Sequence, residues 1–262
     1  GEFVENGKGP NDPCTTRVKA LDGHFDPHFR SFDLEYPDAK RADEYLLELT
    51  RFESEGDMPR LQIVRLPSDH THGTVVGKPT PTAYVAENDQ ALGRLVSAVS
   101  RSRFWAQTAI FVTEDDAQNG PDHVDAHRSI ALVISPYTRR HAVDSTMYST
   151  SSMLRTMELI LGLPPMTQYD AAAMPMYGAF TRTPDLAPYD ALPATVDLEQ
   201  KNQKTAWGAK QSAQMEFAKE DAADDLLLNQ VIWHAVRGAE SPMPAPVRAA
   251  FVRVQARDDD DD

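Results

Sequence analysis

Three apolar runs of strand length, LQIVRL (61–66), TAIFVT (108–113) and SIALVISP (129–136), carry no polar alternation, and this restricts what the chain can fold into. A strand with one wet face alternates polar and apolar residues, whereas a run without alternation is buried on both faces. Amphipathic stretches separate the runs. Residues 38–55 place Ala42, Tyr45, Leu46, Leu49 and Phe52 on one helical stripe, which ends at Gly56. A second helix is expected over 82–101, carrying Val85, Leu92, Leu95, Val96 and Val99, and a third over 149–162, opened by Ser/Thr caps and closed by Gly162. Runs of this kind between helices predict an α/β fold with a largely parallel sheet flanked by helices.

The chain reads as one domain of 262 residues. An irregular arm (1–37) precedes a core (38–165), then a proline-rich extended strap (166–206), C-terminal helices (207–257) and an acidic tail (258–262). The segment 207–237 is expected to bury Leu226, Leu227, Val231, Ile232 and Val236, and a last short helix follows SPMPAP. A formal charge of −14 disfavours broad contact with nucleic acid or anionic membrane. The single Cys14 leaves no intrachain disulfide framework. No run approaches the roughly 20 apolar residues needed to span a bilayer, and no export signal opens the chain. Walker, Rossmann and GxSxG spacings are absent.

The chemistry gathers behind two of the apolar runs. Glu114, Asp115 and Asp116 end TAIFVT, and Asp122, His123, Asp125 and His127 follow before SIALVISP. Adjacent carboxylates at the end of a buried strand repel one another, and a cation removes that cost. Behind LQIVRL comes Ser68-Asp69-His70-Thr71-His72. Ligands of α/β sheets sit at the carboxyl ends of the strands, so the two clusters are expected to share one divalent-metal site. Asp69, His70, Asp115, Asp116, His123 and His127 are the candidate ligands. Asp122 and Asp125 would orient the imidazoles, and Arg128 would hold an anionic group or pair with a neighbouring Asp. Mixed Asp/His ligation favours zinc, with manganese and calcium open. His72 could point into the site or elsewhere. His24, His28, His141 and His234 read as packing or surface residues.

At these residues the sequence resembles a known family. EDDAQNGPDHVDAHRSIALVISPYTRR, with LQIVRLPSDHTHG upstream and SMLRTMELILGLPPMTQYD downstream, is similar over nearly the whole chain to the bacterial phosphoesterase family. This family belongs to the phospholipase C/acid phosphatase branch of the alkaline phosphatase superfamily. DDAQNGPDHV has the length of the branch's DE-x-GG-x-x-DHV signature, with its Gly-Gly pair replaced. The resemblance implies a partial alkaline-phosphatase-like fold with a helical C-terminal extension. It also implies one metal on Asp69, with His70 and His127 or His123, and a second on Asp115 and Asp116.

The family's upstream Ser/Thr nucleophile segment has no counterpart here, so the chain reads as the C-terminal part of a longer protein. A metal-activated water would then be the nucleophile, with Asp115, Asp116, His123 and Arg128 as the catalytic set. Small phosphodiesters or triesters are the expected substrates. The sheet edge left uncovered predicts a homo-oligomer. Two alternatives stand beside this reading: a catalytically incomplete, metal-stabilised fragment that self-associates, and a promiscuous sulfatase or carboxylic ester hydrolase. The family resembles exported proteins, and this chain's location stays open.

Overall fold

Helix α1, Asp38–Glu55, forms where the apolar stripe predicts it, and Gly56 ends it in the left-handed conformation at φ 77°. Helix α2, Pro81–Arg101, starts with Pro81 in its first turn and Thr80 accepting a hydrogen bond from the Ala83 amide. The two helices pack along Ala42, Ala91 and Leu95, with Tyr45 and Leu66 against them. Farther along the same seam lie Leu49, Val99 and Trp105. A third cluster, Phe32, Leu34, Phe217, Ala223 and Leu228, joins the N-terminal arm to the C-terminal region.

The computed structural model describes residues 3–115, 129–244, 247–249 and 252–253. The remaining elements are β1, Val4–Glu5; β2, Thr15–Thr16; β3, Ile110–Thr113; and β4, Ala131–Ile134. After them come α3, Thr150–Leu161; α4, Gln168–Ala172; α5, Ala209–Ser212; α6, Asp225–Arg237; β5, Val247–Ala249; and β6, Val252–Arg253. Helix α3 opens with a reciprocal capping box between Ser149 and Ser152 and closes at Gly162. No helix among the described residues is long and apolar enough to cross a membrane.

The predicted parallel sheet is overturned, and with it the partial alkaline-phosphatase-like fold. Among the described residues every sheet has two strands, and all three pairings are antiparallel. Strands β3 and β4 pair with each other, Ile110 opposite Ile134 and Thr113 opposite Ala131. Ile110 and Ile134 pack on the Leu49–Val99–Trp105 cluster, so this small sheet lies on the two helices rather than between helical layers.

LQIVRL joins no ladder. Ile63 is 91% exposed, and the Leu66 carbonyl accepts from the Asn88 side chain, 2.7 Å away, instead of from a strand. An apolar run favours extended backbone, but a ladder also needs a partner strand at the right register. Pro59 and Pro67 bracket the run, and Pro67 opens a one-turn 3-10 helix over Pro67–His70. In the C-terminal helix α6 Val231 is buried as expected, but Leu228 is buried too, and Leu226 and Val236 are exposed. The expected last short helix is instead the β5–β6 pair.

Candidate functional site

The turn that carries Asp69 and His70 is held from below by a buried ion pair. Asp38 and Arg41 lie one turn apart on α1 with their side chains 0% exposed, 3.0 Å apart. The Asp38 carboxylate also accepts from the Ser68 amide at 2.9 Å and from the Asn88 side-chain nitrogen at 3.1 Å. Arg41 uses all five of its donors. Besides Asp38 they reach the carbonyls of Arg30, Ser31, Asp33 and Tyr36. One guanidinium therefore folds the end of the arm around the start of α1, and its carboxylate partner fixes the residue before Asp69. Glu87 of α2 accepts from the Ala39 amide at 2.6 Å, an acidic cap on the same helix end.

Beyond the 3-10 turn the backbone is strained. Thr71 has φ 58° and ψ 174°, a region where a β-branched residue is an outlier. The strain is held in place: Thr71 is buried, and its hydroxyl oxygen accepts from the Gly73 amide at 2.9 Å. Gly73, at φ 52°, leaves no room for a side chain, since a Cβ would come within 2.8 Å of the Ser212 hydroxyl. Thr74 then ties the loop to Ser212 and to the Trp207 carbonyl.

The charges of the two acidic clusters act on one another, but among the described residues they do not gather into a group that could hold a metal. Asp69 feels the charges of Glu114, Asp38 and Asp115. Burial first, and these carboxylates next, push its carboxyl up to about 6. Burial and Asp115 raise Glu114 in turn. Asp115 is exposed at the mouth of the β3–β4 connection, where the Ser129 hydroxyl donates to the Glu114 carbonyl at 2.5 Å.

His70 faces elsewhere. It lies edge-on to Phe32 with ring centroids 5.2 Å apart, and the charges acting on it most strongly are those of Asp221 and Arg65. Burial lowers its pKa, and both ring nitrogens are buried without a hydrogen-bond partner. His72 is committed to structure: Nδ1 meets the Tyr84 hydroxyl at 2.6 Å and Nε2 lies 3.2 Å from Glu35. Asp116, His123, His127 and Arg128 lie outside the described residues, as do Asp122 and Asp125. Among the described residues no three His, Cys, Asp or Glu side chains are disposed to hold a metal.

Asp38, Arg41 and Asn88 are absent from the candidates that the sequence singled out. A signal for the first two was present, because they occupy the apolar stripe of α1 one turn before Ala42 and Tyr45. Two opposite charges on a buried face point to a mutually satisfied pair.

A pH dependence follows from Asp69. The unfolded carboxyl titrates near about 3.9, and the folded one near about 6. Between these values the native state keeps a proton that the unfolded chain has released, so stability falls as pH rises through that window. In chelator, the thermal midpoint is expected to decline from pH 4 to pH 6 more steeply for the parent chain than for Asp69→Asn. Equal slopes would show that Asp69 is not under this load.

A sequence model of the phosphoesterase family matches residues 26–164, more than half of the chain, and the chain belongs to that family. The matched segment covers α1, the Asp69 turn, α2 and the β3–β4 pair together with its acidic connection. Membership gives the reaction class, hydrolysis of phosphate esters. Comparison with curated proteins and with solved structures gives no match.

Proposed function

We propose that the chain is a metal-dependent phosphoesterase that favours diesters or triesters over monoesters. What supports this reading is membership of the phosphoesterase family, together with a buried Asp69 whose carboxyl is pushed up to about 6 by burial and by the charges of Glu114, Asp38 and Asp115. A carboxylate cluster in that condition gains most from a divalent cation. Asp69 and Asp115 would hold it, joined by Asp116, His123 and His127. The strained Thr71 backbone next to the turn supports the same reading, since strain of this kind persists where geometry serves a site. The two buried ring nitrogens of His70, which have no hydrogen-bond partner, suit a ligand too. Oxygen donors with added imidazole fit zinc first, then manganese or calcium.

When bound, the cation lowers the pKa of a water and neutralises phosphate oxygens. The chain's own part is to hold the carboxylates at fixed spacing, to accept a proton at His123, and to offer Arg128 to a non-bridging phosphate oxygen. Esters of low charge approach a protein of formal charge −14 more readily than dianionic monoesters do. The purified chain, loaded in turn with zinc, manganese and calcium, should hydrolyse p-nitrophenyl phosphodiesters or triesters faster than the monoester, sulfate or carboxylate analogues. Metal uptake without turnover on any of them would leave the site structural and contradict the proposal. Faster sulfate or carboxylate cleavage would contradict the substrate class alone.

A further inference from the structure

Acids outnumber lysines and arginines in this chain by 40 to 26, so a cation readily finds a carboxylate. Lys78 pairs with Glu35, Arg94 with Asp43, Arg101 with Asp190 and Arg140 with Asp185. One stretch departs from this pattern. From Gln200 to Met215 the sequence has Lys201, Lys204 and Lys210 and no acid. Lys201 and Lys204 are exposed, and neither ammonium has an ion-pair or hydrogen-bond partner among the described residues. Both line one cavity of about 460 Å³, made by residues 201–205 together with Val76 and Gly77, and no carboxylate lines it.

The walls of this cavity are fixed to each other. Pro79 and Lys201 form an antiparallel bridge. The Asn202 amide donates to the Lys78 carbonyl at 2.9 Å, and the Gly77 amide donates to the Asn202 carbonyl at 3.0 Å. Asn202 is buried, and its side-chain nitrogen reaches the carbonyls of Gly73, Val75 and Pro79 at 3.0–3.2 Å. Gly77, at φ 81°, faces open space, since a Cβ there would meet nothing within 4 Å. The cavity is therefore pre-organised, and little ordering entropy is lost when it is filled.

We propose that this cavity binds a small organic phosphate. Two ammonium groups without counter-ions match a dianionic head, and lysine serves such a head as a point charge. The amides of Gln203, Lys204 and Thr205 also have no acceptor among the described residues. Successive free amides beside cations are the making of an anion-binding concavity. A volume of about 460 Å³ lies within the ~300–1,000 Å³ of small-molecule sites, so it has room for an organic group beyond the phosphate. Val76, with its side chain exposed, supplies an apolar wall for that group. A nucleic acid fits less well, because its binding draws on many phosphate contacts and the cavity offers two cations. Such binding needs neither metal nor turnover, so it stands apart from the hydrolytic reading.

Isothermal titration of the metal-free chain with phenylphosphonate, whose P–C bond ester hydrolysis leaves intact, tests the site apart from any activity. A dissociation constant of about a millimolar or below is expected. Lys201→Gln and Lys204→Gln should each weaken binding roughly five- to tenfold, with melting curves unchanged. Lys210→Gln removes the same charge from the same stretch outside the cavity, and should change affinity less than about twofold. Benzoate and inorganic phosphate, which each keep one part of the probe, should bind more weakly than phenylphosphonate. No binding at about 10 mM overturns the proposal. So does a loss in Lys210→Gln equal to that in the two cavity variants, which would reduce the effect to net charge. Benzoate or inorganic phosphate binding as tightly as the probe would overturn the ligand class. Binding lost in Asp69→Asn but kept in both cavity variants would place the probe at the acidic connection and overturn it equally.

Discussion

Arg41→Ala is expected to remove roughly 3–5 kcal/mol of stability, the usual consequence of taking one partner from a buried ion pair. A typical domain has only about 5–15 kcal/mol in total, so the variant should unfold at a much lower urea midpoint or fail to accumulate. The effect has two sources. Asp38, 0% exposed, would be left as a buried charge without its counter-ion. The carbonyls of Arg30, Ser31, Asp33 and Tyr36 would lose their donors together, releasing the arm from α1. Asp38→Ala should be comparably harmful, and it additionally frees the Ser68 amide and Asn88. Removing both charges at once should cost less than the sum of the single losses, because no uncompensated charge remains. Urea denaturation of the three variants checks this, and single losses below about 1 kcal/mol would put the pair in the class of weak surface contacts.

The second large effect concerns function. Asp69→Asn, Asp115→Ala and Asp116→Ala are each expected to lower phosphodiester hydrolysis by at least about a hundredfold, since losing even a residue that only orients a ligand costs metal affinity 10–100-fold. The same changes should be harmless or favourable to the metal-free fold. Asp69 carries a burial cost that a neutral amide does not, and Asp115 is exposed. Opposite signs for activity and stability mark a functional site that works against folding. Steady-state rates at saturating zinc, set beside melting curves in chelator, separate this from a structural role, in which both quantities would fall together.

The helices were the most legible part of the sequence. The stripe of α1, the Ser149 cap and the left-handed Gly56 and Gly162 are local signals that lie where the sequence places them, whereas Val85, expected on the α2 stripe, is exposed. The sheet was misread because an apolar run records burial and extension, not pairing. Ile110 and Ile134 gain their burial from Leu49, Val99 and Trp105, with no further strand beside their own pair among the described residues. LQIVRL has the composition of a central strand and no partner. Clustering of acids was legible as chemistry: the charges of Glu114 and Asp115 act on Asp69, while no three such side chains among the described residues are disposed to hold a metal. The scaffold that positions Asp69 was missed because Asp38 finds its partners Ser68 and Asn88 far along the chain, and Arg41 finds its four in the irregular arm, which shows no period to read. Neighbouring Asp69 and His70 lie in different surroundings: the charges of Glu114, Asp38 and Asp115 act on Asp69, while His70 lies edge-on to Phe32 with Asp221 and Arg65 acting on it.

The central claim is that one divalent cation is shared between the Asp69 turn and the acidic connection after β3. A crystal grown with zinc and measured at its absorption edge tests it directly. The expected result is an anomalous peak with oxygens of both Asp69 and the Asp115–Asp116 pair within about 2.0–2.2 Å. A peak bound by only one of the two segments, or no peak between them at saturating zinc, would contradict it.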